Sequence, residues 1–272
     1  APPPSTATGA TAPSPPAVEP ASQAATPAAT PAAPGPTKVA NIAASPEAIA
    51  KAIAGAIAPI SCSLISGSVE TAGSVTLAGL AGNQAPAQLH QALANAAPSA
   101  AVNWSVTTFN GGAAATYCRA LDLLRPIATP FGASQQGLRL ALQSGKTVLA
   151  DGDPIAFRVA MPGYQAWLSV DYFSSDGSVA HLMPGPGNPA RLRSADKIVL
   201  VHGQPPWTAG PPYGRDMIVA IASARPLFDT PRPESEQASA YLSVLAAALD
   251  AARTRGASLD ATALLLETHA KH

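Results

Sequence analysis

The sequence has few charged residues and no cluster of one sign. Charged residues make up 12% of the 272 positions, 16 basic and 16 acidic, so the formal net charge is zero. An ordinary soluble domain has about 25% charged residues. The arginines are scattered and no run of five like charges occurs, so the basic stripe of a nucleic-acid-binding protein is missing. We therefore expect no nucleic-acid partner.

Long apolar runs are also missing. No stretch approaches the roughly 18 apolar residues that a membrane span needs. The longest candidate, residues 42–60, is mostly alanine and contains Glu47 and Lys51, which favours an amphipathic helix. The chain also begins without methionine and without a charged-then-apolar leader. We therefore expect a soluble mature protein or excised portion, with any signal peptide or membrane anchor located upstream.

Motifs for catalysis and metal binding are absent. The five histidines are isolated, two cysteines are too few for the common zinc patterns, and neither a G-x-S-x-G elbow nor a phosphate-binding G-x-x-x-x-G-K-[ST] loop occurs. Ser134 lies in the connection between the predicted modules, and a triad of a serine with His181 and Asp171 would have to be assembled from neighbouring strands. The sequence thus predicts a protein that is not an enzyme and has no cofactor and no metal. A cell-wall hydrolase stays as an alternative.

The N-terminal segment consists mainly of proline and alanine. Residues 1–36 contain eleven prolines, twelve alanines and one charge, Glu19, but no aromatic residue, leucine, isoleucine or methionine. Such a segment cannot bury enough apolar surface to offset the entropy of folding. Proline at this density favours extended polyproline II at about 3.1 Å per residue, so the segment would reach on the order of 100 Å. We predict a disordered linker that acts as a spacer.

The two cysteines, Cys62 and Cys118, are placed to tie a strand to a helix. Cys62 opens a predicted strand and Cys118 begins a predicted helix, and we expect a disulfide between them. In the chain-entropy model, closing this loop stabilises the fold by on the order of 4 kcal/mol. Two buried free thiols are the alternative. A disulfide would indicate a periplasmic or other extracytoplasmic location.

Residues 37–132 predict a small module of mixed helices and strands. Ser45 is a suitable N-cap with Pro46 at the first helical position, and isoleucines then recur on one face. The predicted order is helix, strand, strand, helix, strand, a small α/β sandwich. This order is similar to envelope-associated modules of the BON type, which implies binding of lipid or another envelope component. A generic α+β domain without a ligand is the alternative.

Residues 133–272 predict an antiparallel β-sandwich with a C-terminal helix. Apolar and polar residues alternate through several short runs, as in half-buried strands. The Asp176-Gly177 pair predicts a hairpin turn in which both residues have positive φ. Helical spacing continues over residues 234–253, with acidic residues near the start, and residues 261–268 predict an edge strand. The whole chain is therefore expected to belong to the α+β class.

Three sequence segments carry a family resemblance. They are LADGDPIAFRVAMPGYQAWLSVDYFSSDGSVAHLMP, NPARLRSADK and PPYGRDMIVAIASARPLF. Residues 138–228, which include them, resemble an uncharacterised bacterial domain of unknown function that is appended to serine/threonine kinases and caspase-like peptidases. The preceding YCRALDLLRPIATPFG is similar to the cysteine-containing module found before this domain in some proteobacterial transmembrane kinases. The resemblance implies a non-catalytic sensing, docking or assembly module without catalytic residues.

The predicted loops of the sandwich contain side chains suited to recognition. The candidate binding residues are His181, Arg191, Arg193, Trp207, Tyr213 and Arg215. The aromatic rings would stack on a glycan or a peptide proline, and an arginine would bind an anion. Alternatively, Trp207 covers one end of the core and the arginines are solvated.

Together these features predict an extracytoplasmic binding, sensing or docking module of a bacterial envelope or signalling protein. Its expected partner is an envelope protein or a cell-wall glycan. An accessory subunit of an envelope secretion or appendage assembly is a further alternative.

Overall fold

The computed structural model of the chain describes most residues from position 45 onward. The described ranges are 45–70, 73–111, 113–129, 131–132 and 137–271. The predicted linker over residues 1–36 and the serine at position 134 lie outside them.

The described residues form four α-helices and thirteen β-strands. The helices are α1 (Pro46–Ile57), α2 (Ala85–Ala96), α3 (Ala114–Leu124) and α4 (Ala238–Thr254). The strands are β1 (Ser63–Val69), β2 (Val75–Gly82), β3 (Val102–Phe109), β4 (Arg139–Leu142), β5 (Val148–Ala150), β6 (Pro154–Ala160), β7 (Ala166–Phe173), β8 (Ser178–Met183), β9 (Leu192–Arg193), β10 (Ile198–Thr208), β11 (Arg215–Ser223), β12 (Ser235–Gln237) and β13 (Leu259–His269). This mixture confirms the predicted α+β class.

The first sheet has the order β1-β2-β3, antiparallel between β1 and β2 and parallel between β2 and β3. Ser45 caps α1, because its hydroxyl oxygen accepts a hydrogen bond from the Ala48 amide at 3.2 Å. Helices α1 and α2 pack on one face of this sheet, and their fully buried Ile53 and Leu89 lie in the same apolar cluster as Leu77 of β2. The predicted order of helix, strand, strand, helix, strand is confirmed.

A seven-stranded sheet forms the middle layer of the remaining structure. Its strand order is β12-β8-β7-β11-β13-β5, and β9 pairs with β7. One face packs on a three-stranded sheet of order β10-β6-β4, and the other face packs on α3 and α4. Both faces of β11 are therefore buried, and every residue from Asp216 to Ser223 is inaccessible to solvent or nearly so.

The predicted C-terminal helix is confirmed except for its start, whereas the edge position predicted for the strand after it is wrong. The helix predicted over residues 234–253 begins only at Ala238, because Ser235–Gln237 pairs as strand β12 with β8. The strand predicted at an edge over residues 261–268 lies inside the sheet, between β11 and the parallel strand β5. The missed element is β12 in the first case and β5 in the second. Each has only three residues, which are too few to show alternation in the sequence.

The hairpin between β7 and β8 also differs from its prediction. Gly177 has a φ of +88°, whereas Asp176 is not among the residues with positive φ. The Asp176 carboxylate instead accepts hydrogen bonds from the amide and the hydroxyl of Ser178, at 2.9 and 2.7 Å. This local bond fixes the turn without a left-handed aspartate, so only the glycine needs its conformational freedom.

The sulfur atoms of Cys62 and Cys118 lie within bonding distance, as predicted, and this disulfide joins the start of β1 to α3. Gly82 lies directly beneath it. A Cβ atom at this position would overlap the Cys62 sulfur, so the close approach requires glycine. The pairing confirms the predicted disulfide.

Residues from both predicted modules share one apolar cluster. Phe109 and Leu121, from the first, pack in the same cluster as Phe173 and Leu245, from the second. The Tyr117 hydroxyl on α3 donates to the backbone carbonyl of Arg215 on β11, at 2.8 Å. The described residues therefore lie in one compact unit, and the domain division near residue 132 stays a prediction. No helix in the described ranges is both long and apolar enough to cross a bilayer.

Candidate functional site

A cavity of about 370 Å³ lies between strands β7 and β8 and the segment formed by residues 226–232. Its apolar lining includes Trp167, Met183, Pro184, Pro226, Leu227, Phe228, Pro231 and Tyr241. Its polar lining consists of Ser169, Asp171, His181, Asp229, Thr230 and Arg232. Most small-molecule sites have this composition, with apolar and aromatic walls and a few fixed polar groups.

A chain of charged side chains lies at the inner wall of this cavity. His181 on β8 contacts Asp171 on β7 through Nδ1, at 2.7 Å, and Glu236 on β12 through Nε2, at 3.0 Å. Arg232 holds both carboxylate oxygens of Glu236 at 2.6 Å. The Tyr241 hydroxyl on α4 donates to the second oxygen of Asp171, also at 2.6 Å. We call these five residues the His181 network.

The geometry favours a protonated His181 when both facing carboxyl groups are ionised. An ionised carboxylate only accepts hydrogen bonds, so a ring nitrogen that faces one must carry a proton. Both ring nitrogens of His181 face carboxylates, and its side chain is only 4% exposed. Burial by itself would lower the pKa of His181, but the hydrogen bonds and negative charges of Asp171 and Glu236 outweigh it and raise the pKa.

The shifts of Glu236 and Tyr241 are complementary to that of His181. Burial alone would raise the pKa of Glu236, but its hydrogen bonds to Arg232 and His181 lower the pKa below its usual value. Burial, and then the negative charge of Asp171, raise the pKa of Tyr241 well above its usual value, so the phenol stays neutral and donates. Two positive and two negative charges thus neutralise one another within the network.

The network also fixes one wall of the cavity. Glu236 belongs to the short strand β12, which pairs with β8, and Arg232 lies four residues earlier in the wall segment. The guanidinium of Arg232 also lies over the Phe228 ring, 5.7 Å from its centre. The segment that carries Phe228 is therefore tied to the sheet by charge-assisted hydrogen bonds.

Asp229 is the charged lining residue that the network leaves free. It is exposed at the cavity, and its carboxylate has no hydrogen bond or ion pair with any residue in the described ranges. The cavity therefore combines apolar walls, a neutralised inner charge chain and one carboxylate that is available to a ligand.

The structure brings only part of the predicted binding set to this cavity. His181 lines it, but as a buried member of the network and not as an exposed loop residue. Arg193 is outside the lining. Its guanidinium contacts the Met183 sulfur at 3.8 Å, and burial and then the charge of Arg191 lower its pKa. Arg191 itself is exposed.

The other three predicted residues lie elsewhere. Trp207 packs on the core between the two sheets, as the alternative for this residue expected. Arg215 forms an ion pair with Glu267 at 2.8 Å, and Tyr213 lies two residues before it. Ser223 on β11 pairs with the cavity residue Trp167. Arg215 lies eight residues before Ser223 on the same strand, so about 26 Å of strand separates Arg215 from the cavity. These candidates do not form one site, and a binding role for them stays a prediction.

The sequence pattern does not mark four members of the network as binding residues, namely Asp171, Arg232, Glu236 and Tyr241. Alternation along its strand puts Asp171 on the same face as the polar Ser169, and helical spacing puts Glu236 in the first turn of the predicted helix. One signal was available for Asp171, because Phe173 follows two positions later and shares its face of β7. A large aromatic residue on that face indicates that the face is covered. Arg232 and Tyr241 gave no comparable signal.

The described residues contain no group of three or more histidine, cysteine or acidic side chains arranged to hold a metal ion. In the His181 network the two carboxylates instead occupy opposite sides of the imidazole ring. Comparison of the chain with family models, with curated proteins and with solved structures finds no match.

Proposed function

We propose that this protein is a non-catalytic extracytoplasmic binding module and that the cavity beside the His181 network is its ligand site. The observation that carries the proposal is the combination of apolar walls with an internally neutralised charge chain that holds them in place. Charges that are already paired need no rearrangement when a ligand enters. A preformed site of this kind lowers the entropic cost of binding.

The state of His181 favours binding over hydrolysis. A general base needs a ring nitrogen that is free to accept a proton from a nucleophile or a water molecule. Both nitrogens of His181 are hydrogen-bonded to carboxyl groups, so neither is free for this role. The pairing of His181 with Asp171 alone would suit a triad, but the bond to Glu236 occupies the position that a serine would need. We therefore place the hydrolase alternative behind a binding role.

The lining favours a ligand with an apolar body and a positively charged end. Trp167 and Phe228 offer apolar ring surface, and aromatic faces attract cations. Asp229 supplies the carboxylate that no residue of the described ranges neutralises. An envelope protein would present such a group as a lysine or arginine beside an apolar side chain. This chemistry favours a protein partner over a neutral cell-wall glycan.

The cysteine pair supports the extracytoplasmic part of the proposal. Disulfides form and persist in oxidising compartments and are rare in the cytosol. Cys62 and Cys118 pair at the junction of β1 and α3, and the described residues contain no free cysteine.

Two matched probes test the ligand chemistry. Phenylbutylamine and phenylbutyrate share an apolar body and differ in the sign of the terminal charge. Each would be titrated into the whole chain by ligand-observed NMR, with Asp229→Asn as the test variant. Asp250→Asn on α4 is the control, because its side chain is 77% exposed and lies outside the cavity.

We expect the amine to bind with a dissociation constant on the order of 1 mM, as befits so small a ligand. The loss of one partly solvated ion pair in Asp229→Asn should weaken this about two- to five-fold, and the control should bind like the wild type. The carboxylate should bind more weakly than the amine. Equal binding of both probes, or no binding of the amine, would contradict the proposed ligand chemistry.

A further inference from the structure

Strand β3 leaves an uncovered edge on the first sheet. It is eight residues long and pairs with β2 on one side only. Within the described part of the chain no strand pairs with its other side. Val102 is 40% exposed, and Asn103, Ser105, Thr107 and Thr108 are exposed as well. The outward N–H and C=O groups of this edge are therefore a template for another strand.

The other strand edges in the described ranges are protected. The β1 edge is partly covered, because the Gly132 amide donates to the Gly67 carbonyl at 2.8 Å. Strand β10 contains Pro205 and Pro206 and a register shift, which interrupt pairing. Strands β4, β5 and β12 have four, three and three residues. Strand β3 contains no proline, no charged residue and no bulge, and its eight residues are enough for pairing.

The sequence segment that contains β3 is free of charged residues over an unusual length. No aspartate, glutamate, lysine or arginine occurs between Glu70 and Arg119, a segment that contains β2, α2 and β3. At the usual frequency a segment of this length would contain about 12 charged residues. Loss of charge distinguishes the centres of protein interfaces from the rest of a protein surface.

We propose that β3 pairs antiparallel with β3 of a second copy of this chain, around a two-fold axis near Ser105. In antiparallel pairs, residues directly opposite each other point to the same face. With Ser105 opposite its own copy, Trp104 lies opposite Val106 and Asn103 lies opposite Thr107. The pairing joins two three-stranded sheets into one sheet of six strands.

This register matches the two faces of the strand. Trp104 and Val106 both pack toward the apolar cluster beneath α1 and α2, so the pairing continues an apolar layer across the axis. Ser105 and Thr107 lie on the opposite face, in a cavity rich in hydroxyl groups that Arg139 of β4 also lines, and the pairing continues this face as well. An edge without charge meets no repulsion from its own copy and offers nothing to attract a charged partner. These features favour a second copy over a charged strand from another protein.

The molar mass of the whole chain in solution tests the proposal, measured by light scattering over a range of concentrations. The wild type should approach twice its monomer mass of 27.2 kDa. Ser105→Lys places two like charges directly opposite each other and should shift the mass to 27.2 kDa. Ser194→Lys is the matched control, since Ser194 is exposed far from β3 in sequence, and it should dimerise like the wild type.

A cross-linking experiment keeps the test decisive if the lysine variant fails to fold, which circular dichroism would show. Ser105→Cys introduces one free thiol beside the native disulfide and should form a disulfide-linked dimer rapidly on mild oxidation. Ser194→Cys should cross-link at least ten times more slowly. A wild type that stays at 27.2 kDa at its highest attainable concentration, or equal cross-linking of both cysteine variants, would overturn the proposal.

Discussion

Removal of His181 should destabilise the protein strongly, because it leaves a buried charge without its partner. Asp171 is 2% exposed and would keep only the Tyr241 hydroxyl as a donor from a side chain. Breaking a buried ion pair by removing one partner typically costs about 3–5 kcal/mol. We therefore expect His181→Leu to lower the free energy of unfolding by about 3–5 kcal/mol. His202→Leu, at an exposed histidine, should change it by less than about 0.5 kcal/mol.

Replacement of both partners gives a sharper test of the same reasoning. In the double variant Asp171→Leu/His181→Leu no uncompensated carboxylate remains beside β8, although the Tyr241 hydroxyl loses its acceptor. An unsatisfied buried hydroxyl costs about 1–3 kcal/mol. The double variant should therefore lose about 2–3 kcal/mol less unfolding free energy than the two single variants lose when their losses are added.

Urea unfolding of the wild type and the variants would supply these values, with the midpoint reporting stability and the slope reporting compactness. If the losses of unfolding free energy from the two single substitutions simply add in the double variant, Asp171 and His181 do not interact, which would contradict the proposed ion pair. A cost below about 1 kcal/mol for His181→Leu would also contradict it, because it would mean that Asp171 does not depend on the imidazolium.

Three further predictions concern pH, the disulfide and the contact between α3 and β11. Folding raises the pKa of His181, so its contribution to stability should be complete below about pH 6.5. This contribution should be lost as the pH rises through the pKa of His181 in the folded state, by at most about 1.4 kcal/mol per pH unit. Urea midpoints across this range should show the decline in the wild type and not in His181→Leu. Gly82→Ala should leave more free thiol after oxidative refolding, measured with a thiol reagent, because the added Cβ overlaps the Cys62 sulfur. Tyr117→Phe should cost about 1–2 kcal/mol of unfolding free energy, since it leaves the partly buried Arg215 carbonyl without this donor.

Local sequence signals predicted most of the elements. Ser45 followed by Pro46 marks the start of α1, and strict alternation marks β3 and β6, because helix caps and half-buried strands depend on neighbouring residues alone. The disulfide was predicted for a similar reason, since both cysteines lie at the ends of elements that sequence periodicity defines.

The cavity could not be predicted in this way. It depends on β12, a three-residue strand whose formation requires β8 as a partner. Without that pairing, residues 234–237 have good helical spacing with the residues that follow, and Glu236 is assigned to the wrong element. The same limit applies to Asp171, whose face of β7 is covered by α4 from a distant part of the sequence.

The most direct test of the proposed ligand site uses the three methionines. Met183 lines the cavity, whereas Met161 and Met217 are buried in the cores on either side of the large sheet. Protein labelled with carbon-13 at the methionine methyl groups should give three resonances that can be followed separately during a titration with phenylbutylamine. We expect a saturable shift of the Met183 resonance while the other two stay in place. A Met183 resonance that does not move while the amine binds would place the site elsewhere and contradict the account.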